Sequence, residues 1–185
     1  MAHGERMRAQ VVAAILDAAA SVIAQHGDSA SMADVAVAAG VGRATLYRYF
    51  ESRDALLRAL SSAAIDEAET RLMEADLTHV PVSQALERAS RALLAAGLKY
   101  SVVTEDRRYL DPGELQERIG ERVMALFRRG VDDGTLRSDL PVEVIARLWG
   151  GMVEVMLRSF DGGDRGIEAA SSALSEVFLS GARSR

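Results

Sequence analysis

The 185-residue chain contains no cysteine, which excludes disulfides and thiolate metal sites and suits a reducing cytoplasm. Proline occurs three times, at Pro81, Pro112 and Pro141, and each stands where a helix can begin. Runs of Val, Ile and Thr are scarce, so strands have little to build from. No uninterrupted apolar run reaches the roughly 18 residues that cross a bilayer. The opening MAHGERMRAQ is not followed by an unbroken apolar signal segment either. A soluble, cytoplasmic protein with no membrane partner is expected. Lysine is almost missing, with Lys99 alone, and the aromatics are four Phe, four Tyr and one Trp.

What is present is alanine, leucine and charge. Apolar residues make up 49% of the chain, enough to bury a core, and the composition reads as all-α, with about nine helices. The net charge of −5 argues against non-specific coating of nucleic acid. It is unevenly placed. Through Leu60, six arginines (Arg6, Arg8, Arg43, Arg48, Arg53, Arg58) balance six carboxylates, and the remaining 16 basic and 21 acidic residues carry the whole excess. A polyanion partner should therefore meet the N-terminal third.

The aromatics are concentrated there too. In LYRYFESRDALL, residues 46–57, Tyr47, Tyr49 and Phe50 stand beside Arg48 and Arg53. A core needs no arginines, and a solvated face needs no rings. The surrounding pattern supplies a reason. Val12, Ile15, Leu16, Ala19, Val22 and Ile23 make one helical stripe over Arg6–His26, which Gly27 ends. Ser31 and Asp34 form an S-x-x-D start signal for a short helix, Met32–Ala39. AGVG breaks the chain, and a second short helix follows, with Ser52 as the cap of a fourth helix from Arg53. Two short helices across a glycine turn make a helix-turn-helix, whose second helix fits the major groove of DNA. Arg43, Thr45 and Arg48 can reach base edges and phosphates, and Tyr47 and Tyr49 can offer hydroxyls to phosphates. Leu46 and Phe50 turn inward as anchors, and Arg53 can hold a phosphate near a helix start.

The run SMADVAVAAGVGRATLYRYFESRDALL closely resembles the N-terminal module of TetR-type (tetracycline-repressor-like) transcriptional regulators, over about residues 6–60. The resemblance implies an all-helical homodimer with an operator-binding head and a ligand-responsive body. The expected division is residues 1–52 for DNA binding and 53–185 for ligand binding and dimerisation. The expected DNA contacts are Ser31, Met32, Gly42, Arg43, Ala44, Thr45, Tyr47, Arg48, Tyr49 and Arg53. Two positions depart from the family pattern. Gly42 stands where serine or threonine often caps the recognition helix, and Arg53 replaces the usual lysine. Glycine is a tolerable cap, and arginine still grips phosphate.

In the body, helices are expected over Arg53–Asp76, Val82–Val103, Pro112 to the VDDG turn, Val142–Phe160 and Ile167–Gly181. TEDRRYL is read as a short helix or loop, and DGGDRG as a loop. The Val142–Phe160 helix is apolar on nearly all sides and should be buried on more than one. Gly150, Gly151 and Val155 are expected to pair with Leu174, Val177 and Phe178 in a four-helix dimer interface. Leu94, Leu98, Tyr109, Met124, Phe127, Trp149 and Met152 can line a cavity for an apolar or aromatic small-molecule effector, although each residue alone also reads as ordinary core.

Other motifs carry less. His3, His26 and His79 are scattered, with no carboxylate at ligand spacing, so no metal or other cofactor is expected. Glu114, Glu117 and Glu121 alternate with Arg118 and Arg122 and read as solvated ion pairs. The pairs Arg107–Arg108 and Arg128–Arg129 read as surface, and DGGDRG lacks the Lys-Ser/Thr of a phosphate loop. No nucleophile–base arrangement stands out, so no enzyme is expected. The function expected is a DNA-binding regulator, a repressor released from a palindromic operator by its ligand. An activator, an effector-independent regulator and, more distantly, a helical small-molecule-binding protein or enzyme are the alternatives.

Overall fold

Helix formation along this chain follows its apolar spacing and its caps. In the computed structural model, residues 2–100, 107–159 and 163–183 are described. Helix α1 (Ala2–His26) ends in a 3₁₀ turn, Gly27–Ser29, where Gly27 takes a φ of +56° that a side chain would resist. The capping box of α2 (Met32–Ala38) forms as its sequence predicts. The Ser31 hydroxyl accepts from the Asp34 N–H at 3.2 Å, and the Asp34 carboxylate accepts from the Ser31 N–H at 2.9 Å. The helix closes with Gly40 at φ +67°. Val41 N–H donates to Ala36 O and Gly40 N–H to Val37 O, a Schellman closure that turns the chain into α3 (Arg43–Tyr49). The Ser52 hydroxyl caps α4 (Arg53–Glu74) by accepting from Ala55 N–H.

The first compact unit comprises Met1–Ala64 and Lys99–Asp111. Its core joins Ile15, Ala19 and Ile23 of α1 to Val35 and Ala36 of α2, Leu46 of α3, Phe50, and Leu56 and Leu60 of α4. By mean hydropathy, 1.5 over an 18-residue window of Gly4–His26, α1 is long and apolar enough to cross a membrane. Counting uninterrupted runs overlooked this, because isolated polar residues interrupt a helix that is apolar on average. Its apolar stripe is committed to the core of this unit.

The second unit comprises Ile65–Leu98 and Pro112–Arg185. It contains most of α5 (Val82–Lys99), then α6 (Pro112–Leu115), which passes through a π turn (Gln116–Gly120) into α7 (Glu121–Asp132), followed by α8 (Val142–Ser159) and α9 (Gly163–Ala182). Phe127 is the centre of its core, with ring centroids 5.6 Å from Trp149 and 5.8 Å from Phe178. Gly97 and Gly130 are places of close approach. A Cβ on Gly97 would lie 2.5 Å from a Leu157 methyl, and one on Gly130 2.7 Å from a Leu136 methyl.

Several expectations are corrected. The last helix begins at Gly163 rather than Ile167, so the second half of DGGDRG is helical. The helix from Val82 ends at Lys99; residues 101–103, the first three residues of TEDRRYL and Phe160 lie outside the described residues, while Arg107–Tyr109 forms a 3₁₀ turn. The π turn was not foreseen. His79 does have a carboxylate neighbour, because Asp76 lies 2.6 Å from its Nδ1. Arg118 is more than a solvated partner for the acids on its own helix. It also reaches Asp66 at 2.7 Å and Glu69 at 2.7 Å on α4, besides Glu114 at 2.9 Å. Finally, α8 buries one face within the chain (Ile145, Ala146, Trp149, Val153). Leu148 and Val155 are 59% and 64% exposed on the other.

Candidate nucleic-acid interface

The recognition face is built on seven residues, Arg43–Tyr49, about 10 Å of helix. The four-residue spacing of Leu46 and Phe50 pins one side, since both are buried. The opposite side is thereby free to carry Arg43, Ala44, Tyr47 and Arg48, all exposed. Thr45 and Tyr49 are half-buried at its margins. Gly42 precedes the helix in extended conformation (φ −71°, ψ 150°) and supplies no side-chain cap. The first helical N–H groups are consequently left without a side-chain oxygen, in a position to meet an anion.

Tyr49 holds the basic groups in place. The Arg48 guanidinium lies 5.4 Å from its ring centroid, and that of Arg8, from α1, lies 5.8 Å away. Among the described residues no carboxylate pairs with Arg8, Arg43 or Arg48. Asp34, at the start of α2, is occupied by the Ser31 hydroxyl and N–H. These hydrogen bonds hold its carboxyl below the usual carboxylate range. Ser31 is exposed at the α2 start and Met32 is half-buried against the core of the unit.

Arg53 is placed differently from the rest. Its guanidinium is half-buried and donates to the carbonyl oxygens of Ala30 and, at 3.5 Å, Gly27. It therefore ties the start of α4 to the loop that precedes α2, with part of its donor fork already used. This long-range contact has no counterpart in local spacing. Arg8 is a residue that the reading of the recognition helix alone passed over. The available signal was its place on the α1 stripe, four residues before Val12.

In the second unit the residues expected to act separate into two environments. Leu94, Phe127 and Trp149 are fully buried in the core, while Leu98, Met124 and Met152 are half-buried. Tyr109 belongs to the first unit, where its hydroxyl donates to Asp54 at 3.0 Å. Gly151, Val155, Leu174 and Val177, with Leu148 and Met152, line an open apolar groove of 560 Å³ between α8 and α9. Leu174 forms its floor, since it is buried, whereas Val177 is 65% exposed. Gly150 and Gly151 face open space within the chain. Phe178 is buried and lines a smaller neighbouring cleft with Met152 and Val177.

A short helix held by two inward anchors, presenting unpaired arginines after a Schellman turn, defines a helix-turn-helix DNA-binding protein. Comparison with known proteins narrows this class. The family of bacterial regulatory proteins of the tetR type matches residues 15–60. The transcriptional repressor LfrR of Mycolicibacterium smegmatis is 45% identical over 45% of this chain and 44% of its own, so that alignment spans less than half of LfrR. The transcriptional regulator NfxB of Pseudomonas aeruginosa is 29% identical over 98% of this chain and 95% of its own. The crystal structure of LfrR in complex with proflavine superposes with a TM-score of 0.73, at 28% identity, over 92% of this chain and 96% of LfrR. Residues 15–60 thus match the TetR family's DNA-binding module, and the chain is similar over nearly its whole length to TetR-family regulators. It is a DNA-binding transcriptional regulator and not an enzyme.

Proposed function

We propose that the protein is a repressor that binds a palindromic operator as a homodimer and leaves it when a small apolar or aromatic molecule binds the body. The observation that carries this reading is the pairing of an unneutralised arginine–tyrosine face on α3 with an uncovered apolar groove between α8 and α9. One seven-residue helix reads few bases, and each good base contact discriminates by about 1–3 kcal/mol. Useful specificity therefore calls for two heads, and Gly150 and Gly151 leave room for a second backbone to approach the groove. Residues 1–52 act as the DNA-binding part and 53–185 as the ligand-binding and dimerising part, working in the cytoplasm. The proflavine complex of LfrR supports a flat aromatic molecule as the kind of effector to try first.

On DNA, the two recognition helices lie about 34–36 Å apart, or a multiple of that. Helix α4 runs from Arg53 to Glu74 and transmits a change in the body to the head. To swing the population from 1:99 to 99:1, the effector must prefer the released state by roughly 5.5 kcal/mol. The test starts with selection of duplexes from random sequence by the full-length protein, followed by footprinting at fixed salt. A protected palindrome that Arg48→Ala no longer occupies, with the fold intact, is expected. Protected sites without two-fold symmetry would defeat the dimeric reading. Equal head separations in DNA-bound and effector-bound protein, measured between labels on α3, would defeat the release mechanism.

A further inference from the structure

The stripe that fastens α1 to the head does not end where its apolar residues end. Ile23, Ala19 and Ile15 enter the core and Val12 packs against it. The same step taken toward the N-terminus reaches Arg8, an exposed residue. Instead of continuing the core, this position carries a guanidinium 5.8 Å from the centroid of Tyr49, whose ring also has Arg48 5.4 Å away. Two cations thus share one ring of the recognition helix, and neither has a carboxylate partner among the described residues. Like charges gathered in this way repel one another until an anion arrives. A planar guanidinium can rest on a ring and still donate from its edge, which an ammonium cannot do as well. The family model matches only from residue 15 onward, and Arg8 is not among the DNA contacts expected from the resemblance.

We propose that Arg8 is a DNA-contacting residue that binds a backbone phosphate beyond the reach of α3, with Tyr49 as its platform. The inference rests on the reading of α3 as the operator-facing helix. A phosphate contact positions the head without selecting bases. Arg8 therefore widens the footprint at each half-site and adds to the salt dependence of binding, but leaves base preference unchanged.

The test uses the full-length protein on the duplex recovered by random-sequence selection, with affinity measured across a range of salt concentrations. Arg8→Met keeps an apolar stem over Tyr49 and removes the charge. It should weaken binding at least about tenfold at low salt. The log–log salt slope should become shallower by about 1.8, the value for two phosphates per dimer. Arg8→Lys should restore most of the slope, and substituted operators should keep their rank order with both variants. An Arg8→Met slope equal to that of the wild type overturns the proposal even if affinity falls, because Arg8 would then only be packing against Tyr49. Arg48→Ala serves as the reference. If it binds the same duplex as well as the wild type, the recognition face itself has been misassigned and this proposal falls with it. If it loses binding while Arg8→Met keeps the wild-type slope, the face stands and only the role of Arg8 fails.

Discussion

The two uncovered faces of this molecule have opposite chemistry and similar construction. On α3, two buried anchors at a four-residue spacing leave arginines and a half-exposed tyrosine outward. On α8, Ile145, Trp149 and Val153 are the anchors, and Leu148 and Val155 point outward. A face with unpaired guanidinium groups gains from a polyanion and would lose from burial against hydrocarbon. An apolar face gains only when water is excluded from it. The contrast suits the partners proposed for them, DNA at one face and a second copy of the chain at the other.

The largest effect is expected from placing charge on the apolar face. Val155→Asp should shift the protein to monomer in sedimentation equilibrium, since a carboxylate buried without a partner costs about 3–5 kcal/mol. The helical signal of the separate chains should be retained. An unchanged dimer would move the interface elsewhere. Next comes the anchor of the other face. Leu46 is fully buried, and Leu46→Ala should destabilise the head by about 2–5 kcal/mol, read as an earlier loss of structure in α1–α3 by hydrogen exchange. If protection there is undiminished, Leu46 does not hold α3 in place.

Smaller effects sharpen the comparison. Ser31→Ala removes the cap oxygen of α2 and should cost about 1 kcal/mol, visible as a lower urea midpoint with unchanged slope. The smallest expected effect is electrostatic. The hydrogen bond from Arg118, followed by its charge and that of Arg122, holds the Glu69 carboxyl below the usual range. A carboxyl whose folded value is depressed contributes stability at neutral pH that is lost as pH falls through the acidic range. The urea midpoint of Glu69→Gln should therefore lie below that of the wild type at neutral pH, and the two should converge under acid. A difference that persists unchanged in acid would mean that Glu69 acts through packing instead of charge.

These contacts also mark which parts of the fold and of the candidate site were legible in advance. Ser31 and Asp34 are three residues apart, the Gly40 closure spans six, and Leu46 and Phe50 are separated by one turn. Partners this close are dictated by helical geometry, so the head could be read directly. Arg53 meets Ala30 across 23 residues, and Arg118 meets Glu69 across 49. No periodicity announces either contact, and one turned an expected phosphate ligand toward backbone carbonyls. The extra residue in the π turn and the helical start at Gly163 were hidden for a related reason.

By itself, the sequence determined the helical class, the caps and turns of the head, and the residue types available to face DNA, because each of these depends on neighbours within a turn or two. Only the tertiary structure decided which side of the apolar α8 is core and which is left uncovered, that Leu174 is a floor and Val177 an edge, and that Arg8 and Arg48 share one ring. An all-apolar helix carries no label for its inner face. Packing volume and long-range partners assign it, and these exist only once the chain has folded.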